Sequence, residues 1–159
     1  MRLTIAAVGK LKAGAERELT ERYVGRAGQL GRNLGIEVIA REVSEGRADR
    51  PADRIAEEGD SLRSNVGDGA IVVALDEAGK AFGSADFADR IAEWRDRSVP
   101  EIAFVIGGAD GLSPGIKERA DLVLAFGAMT WPHQLARVML AEQIYRALTI
   151  LVGHPYHRV

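Results

Sequence analysis

Short apolar runs alternate along the chain with stretches whose apolar residues recur at helical spacing. Leu3–Val8 is nearly continuous in apolar residues and closes at Gly9, as a strand buried on both faces would. Leu19, Tyr23, Ala27, Leu30 and Leu34 then recur at intervals of four, four, three and four, one stripe of a helix that Gly35 ends. The residues 36–39 read as a second strand, 42–50 as a polar connection, and Pro51 as the first turn of a second helix carrying Ile55, Gly59, Leu62 and Val66. Residues 70–75 make the clearest buried strand, followed by a loop at 76–80. Ser84 is placed as the N-cap of a helix with Phe87, Ile91 and Trp94 on one face. Strand four is expected at 102–106, a short helix after Ser113-Pro114, and strand five at 122–126. A long helix then runs from His133 to Val152, capped by Gly153.

Five strands interleaved with helices predict an α/β fold, a mostly parallel five-stranded sheet with helices on both faces and one domain over 1–159. In such sheets ligands bind beyond the carboxyl ends of the strands, which nominates three loops together: 76–80, 107–113 and 127–133. The composition narrows the chemistry. With 159 residues, 47% hydrophobic, the chain can bury a core without cross-links, and with no cysteine it has no thiolate metal site, cysteine nucleophile or disulfide. No apolar stretch approaches the roughly 20 residues of a membrane span, and Met1-Arg2 leads straight into a strand, so a cytoplasmic protein without a secretory leader is expected. The net charge of -2 argues against binding nucleic acid by overall charge, while leaving room for a local basic patch.

Gly107-Gly108-Ala109-Asp110-Gly111 follows a buried strand and reads either as a loop that lets backbone approach a ligand or as a tight turn needing positive φ. It matches neither the dinucleotide fingerprint nor the phosphate-cradling motif. Met129-Thr130-Trp131-Pro132-His133 is either a contact loop or a plain helix start. The last helix has two weakly polar faces. One needs the sheet, and the other needs a second subunit or burial inside the chain. Arg137, Glu142 and Arg146 fit helix-surface ion pairs. The tail His154-Pro155-Tyr156-His157-Arg158 offers rings that stack on bases and a cation for phosphate; a metal site there has no third ligand, and none is expected.

Taken together, LTIAAVGKLK (3–12), LDEAGK (75–80), FVIGGADGLS (104–113), TWPHQLAR (130–137), AEQIYRA (141–147) and HPYHR (154–158) resemble the RlmH family over essentially the whole chain. That family comprises bacterial SPOUT-class methyltransferases acting on N3 of a pseudouridine in large-subunit (23S) ribosomal RNA. The resemblance implies a C-terminal trefoil knot, S-adenosylmethionine as cofactor, and a homodimer. It places cofactor contacts on Leu75, Gly107 and the loop Phe126, Gly127, Ala128, Met129, Thr130 and Trp131. Methyl transfer from a sulfonium needs no metal. The acidic pI near 5.9 favours a preformed ribosomal surface, hence assembled ribosomes, over naked RNA without deciding between ribosome, subunit and free RNA. Two positions depart from the family pattern: Gly153, where asparagine is commoner, and Trp131, where apolar residues vary.

The imide N3 is a poor nucleophile while protonated, so a base or nearby cation must favour loss of that proton. His133, Arg137, Glu142, His157 and Arg158 are the candidates within the resemblance, with Tyr156, His157 and Arg158 also expected to contact RNA. Two other classes compete: a nucleotide-binding oxidoreductase, disfavoured by the missing fingerprint, and a catalytically silent RNA-binding or dimerisation module.

Overall fold

The computed structural model describes residues 1–157. Its five strands are β1 (Arg2–Val8), β2 (Glu37–Val43), β3 (Ile71–Ala81), β4 (Glu101–Ile106) and β5 (Leu122–Ala125). They form one parallel sheet in the order β2-β1-β4-β3-β5. The helices are α1 (Ala15–Gly31), α2 (Pro51–Ser64), α3 (Ser84–Asp96), α4 (Pro114–Arg119) and α5 (His133–Leu151).

The two-residue period of a strand explains why β1 and β4 read as unbroken apolar runs. Leu3, Ile5 and Ala7 of β1, with Ile102, Phe104 and Ile106 of β4, pack on one face beneath α1, α3 and α5. Ala6, Val8 and Val105 point the other way, against Leu62 of α2 and Ile116 of α4. Phe87, Ile91 and Trp94 are all buried, as their spacing on α3 requires.

Several local expectations change. Glu37–Val43 extends the second strand beyond 39, because each of its residues pairs in register with Arg2–Val8. The stripe of the first helix continues past α1 as a 3-10 turn, Arg32–Leu34, before Gly35. Ser84 is not a cap. Gly83 holds that position, and the Ser84 hydroxyl donates to Gln143 Oε1 of α5 at 2.9 Å. Ser113 does cap α4, accepting the Ile116 amide at 3.4 Å.

Residues 76–80 are not a free loop between elements. β3 pairs with β5 through Leu75↔Leu124, bulges outward, and resumes at Lys80↔Leu124 and Ala81↔Ala125. The bulge is therefore held at both ends by β5. At the other terminus of the chain α5 ends as expected. Gly153, at φ 67, donates to Ile150 O at 3.1 Å and His154 donates to Thr149 O at 2.8 Å, which closes the last turn.

The second face of α5 is covered mainly within the chain. Leu140, Ala141, Tyr145 and Ala147 are each at most 9% exposed, packed in the core layer with α1 and α3. Apolar surface remains at the N-terminal part, where Leu135 is 41% exposed, and at the half-buried Ile150 and Leu151 near the other end.

Candidate functional site

The three loops nominated by strand order do converge. The β3 bulge, the turn after β4 and the segment after β5 enclose a cavity of about 960 Å³ at the carboxyl edge of the sheet. Leu75, Ile106 and Phe126 give it apolar walls, and Asp76, Glu77, Asp110, Lys117 and His133 give it charge and hydrogen-bonding capacity.

The turn after β4 shows why glycine is needed there. A Cβ on Gly107 would stand 2.3 Å from Gly111 O and 2.4 Å from its carbonyl carbon, so the turn folds back directly over this residue. Gly111 carries the positive φ, 86°, and its amide donates to Gly108 O at 3.1 Å. The segment is a tight turn whose residues also line the cavity.

The other two walls are tied together. Thr130 Oγ1 donates to Glu77 Oε2, joining the segment after β5 to the bulge. Lys117 Nζ of α4 donates to Asp76 Oδ2 at 3.1 Å, and the Ala78 amide donates to Asp76 Oδ1 at 3.0 Å. Burial pushes the Asp76 carboxyl up, but the Ala78 amide and the Lys117 ammonium outweigh it and hold it below the usual carboxylate range. Met129 and Trp131 remain 73% and 42% exposed at the rim, unusual for residues so apolar.

Of the residues expected to hold a cofactor, Leu75, Gly107, Phe126, Gly127, Met129, Thr130 and Trp131 line this cavity, and Ala128 does not. His133 lines it from the first turn of α5. Arg137, one turn on, corrects the expectation of a helix-surface ion pair. It is 3% exposed, donating to Val8 O (2.9 Å) and Gly9 O (2.8 Å) and pairing with Glu42 Oε1 at 3.3 Å. Burial lowers its pKa while Glu42 opposes the shift. Its guanidinium braces the end of β1, and Arg137 is not among the residues that line the cavity.

The tail is also more integrated than a fraying terminus. Tyr156 OH donates to Glu142 Oε1 at 3.0 Å, its ring lies 4.7 Å from that of Tyr145, and the Arg146 guanidinium sits 4.9 Å from the ring centroid. Burial, then hydrogen bonds with Tyr23 and Glu142, push the phenol pKa up. Glu142 also accepts from Arg146 Nε at 3.0 Å and Gln143 Nε2 at 2.8 Å, the helix-surface pairing its spacing implied. Glu142 lies nine residues along α5 from His133, about 14 Å at 1.5 Å per residue. Tyr156 is therefore held away from the cavity within one chain. Arg158 lies outside the described residues.

Between tail and cavity runs a second, largely apolar groove of about 620 Å³. Leu19 and Tyr23 of α1, Phe82, and Val138 and Met139 of α5 line it, and it shares Leu124–Gly127 with the cavity. Sequence reasoning did not single out Asp76, Glu77, Asp110 or Lys117 individually. The first two stood in a nominated loop and Asp110 in the glycine segment, whereas nothing marked Lys117, on a helix of six residues, as facing the site.

A parallel α/β sheet whose strand-end loops close over one mixed apolar and polar cavity defines a protein that binds a small organic cofactor or substrate there. Comparison with known proteins narrows this. The family described as Predicted SPOUT methyltransferase matches residues 1–157. The chain is 57% identical to the Ribosomal RNA large subunit methyltransferase H of Rhodopseudomonas palustris strain BisB5, and 58% identical to that of strain HaA2, covering 99% of each chain. It is 56% identical to the protein of the same name from Nitrobacter winogradskyi, again over 99% of both. The chain belongs to the SPOUT methyltransferase family and is a methyltransferase. Family membership implies the trefoil knot in its C-terminal part.

Proposed function

We propose that this enzyme transfers a methyl group from S-adenosylmethionine to N3 of a pseudouridine in 23S ribosomal RNA, on assembled ribosomes in the cytoplasm. The carrying observation is the single cavity formed by the three strand-end loops, in a chain 57% identical over its length to a protein named for methylation of large-subunit ribosomal RNA. The cavity's volume lies within the range typical of cofactor sites. Its donor set fits this cofactor: Leu75, Ile106, Phe126 and Met129 offer apolar surface for a purine and a thioether chain. The Gly107–Gly111 turn presents backbone that a side chain at 107 would displace. Asp76 and Glu77 provide acceptors for ribose hydroxyls and an ammonium group.

Held by Leu75, Gly107 and the 126–131 segment, the cofactor would supply an electrophilic methyl on sulfonium, with sulfur as the leaving group. The chain's part is to orient the base, exclude water and take the N3 proton. His133 carries an imidazole that lines the cavity, and in this reading it is the proton acceptor. Arg137 supports it indirectly, by fixing α5 to the end of β1. Tyr156, His157 and Arg158 contact the RNA, by stacking and by phosphate pairing.

The same reading makes the enzyme a symmetric homodimer. The apolar groove along α1 and α5, with Leu135, Met129 and Trp131 exposed beside it, is the surface a second subunit covers. No group of metal-ligating side chains is found among the described residues. No helix among them is long and apolar enough to cross a membrane.

Calorimetry with S-adenosylmethionine and with NAD separates this reading from a dinucleotide-dependent oxidoreductase. Binding of the first alone is expected, and binding of NAD alone would overturn it. Detectable cofactor binding also excludes a silent RNA-binding module.

A further inference from the structure

The connection from β2 to α2, residues 44–50, has no part in the site as described so far, yet α2 grips it closely. Glu57 Oε2 accepts the Arg47 amide at 2.8 Å and the Ala48 amide at 3.4 Å, and Glu58 Oε1 accepts the Gly46 amide at 3.1 Å. Arg54, on the same helix, reaches in two directions. Its Nη1 donates to Ala48 O at 3.1 Å and Asp49 O at 2.8 Å, while Nε and Nη2 donate to Asp110 Oδ2 at 3.1 and 2.9 Å.

Asp110 lines the cavity and sits within the turn that covers Gly107. Across that turn the Gly111 amide donates to Gly108 O, so much of the turn's outer support must come from elsewhere. α2 provides it. Glu58 is 6% exposed, and its Oε2, without a hydrogen-bond partner among the described residues, would stand 3.0 Å from a Cβ on Gly108. The turn thus rests against one carboxylate and is held at Asp110 by one guanidinium.

We propose that Arg54 is a positioning residue of the cofactor site, fixing Asp110 and the 107–111 turn and coupling that turn to the segment 44–50. Arginine suits the task because its planar fork donates to both sides at once. A lysine ammonium is a single point that can serve Asp110 or the two carbonyls but not all three. The pair is only about one-third exposed on each side, 30% for Arg54 and 35% for Asp110, so solvent weakens it without abolishing it. The inference rests on the reading of this cavity as the S-adenosylmethionine site.

The test is titration calorimetry with S-adenosylmethionine plus steady-state methylation for wild type, Arg54→Met, Arg54→Lys, Asp110→Asn and the double variant Arg54→Met/Asp110→Asn. Arg54→Met and Asp110→Asn are each expected to raise Kd and the cofactor KM about fivefold, with kcat within about twofold, and Arg54→Lys to show a smaller rise that recovers only part of the loss. The double variant is also expected near fivefold, because both changes remove one interaction. Wild-type affinity in Arg54→Met, a fall in kcat at unchanged Kd, or a double variant weakened about 25-fold would each overturn it. If wild type itself fails to bind S-adenosylmethionine, the reading of the cavity falls first and this inference with it.

Discussion

Replacing Gly107 by alanine adds one carbon where the chain has left no room. Its Cβ would lie 2.3 Å from Gly111 O and 2.9 Å from Leu112 N, both backbone atoms, and ordinary contact begins at 3.4 Å. The turn must therefore open by about 1 Å. Overpacking of this kind costs about 1–3 kcal/mol, which for a domain of this size lowers Tm by roughly 2–12 °C. The larger effect falls on the ligand. Backbone displaced by ~1 Å loses hydrogen bonds each worth about 1 kcal/mol net, so two such losses weaken S-adenosylmethionine binding by roughly ten- to a hundredfold. Differential scanning calorimetry and titration calorimetry read the two effects on one sample. Gly127→Ala is the contrasting control, since nothing lies within 4 Å of its Cβ and its φ of 107° makes the penalty purely conformational. A Gly107→Ala protein with Tm within about 1 °C of wild type and affinity within about twofold would refute the geometry on which this rests.

Three further outcomes are expected. Leu140→Ala should lower stability by about 2–5 kcal/mol without altering dimerisation, because Leu140 is fully buried inside the chain, whereas Leu135→Glu should weaken the dimer in sedimentation with little change in Tm. Asp76→Asn removes a carboxylate whose folded pKa is depressed. The wild-type advantage, up to about 1 kcal/mol, should be fully present above the unfolded value near ~4 and be lost progressively as pH falls through the depressed folded value, read by melting from pH 7 downward. Truncation after Pro155 should lower Tm by a few degrees, since Tyr156 is bonded to Glu142, leave S-adenosylmethionine affinity nearly unchanged, and reduce ribosome methylation by orders of magnitude. Weakened cofactor binding in that variant would identify the tail as part of the cofactor site instead.

The alternation of apolar runs and helical stripes was sufficient to locate all five strands and all five helices, because each strand buried on both faces leaves an uninterrupted run such as Ile102–Ile106. Strand-end loops could likewise be grouped from topology alone. The failures share a cause: they depend on contacts between distant residues. Residues 76–80 read as a loop because Asp76, Glu77 and Gly79 break the apolar run, while the resumed pairing of Lys80 and Ala81 with β5 leaves no local trace. Arg137 read as a surface residue because its partners, Val8, Gly9 and Glu42, lie about a hundred residues away. Burial of Leu140 and Ala141 by α1 and α3 was one of two open outcomes for a two-faced helix, and helical spacing alone has no power to choose between them. Lys117 and Arg54 enter the site region only through tertiary pairing, with Asp76 and Asp110 respectively.

The central claim is methyl transfer to large-subunit ribosomal RNA. The direct measurement incubates the wild-type protein with methyl-labelled S-adenosylmethionine and ribosomes, isolated subunits or protein-free RNA in parallel, then digests the RNA to nucleosides. Label in a single 3-methylpseudouridine of 23S RNA, strongest on assembled ribosomes and absent with protein-free RNA, is the predicted result. Label on any other nucleoside, or none on ribosomes from a protein shown to bind the cofactor, would contradict it.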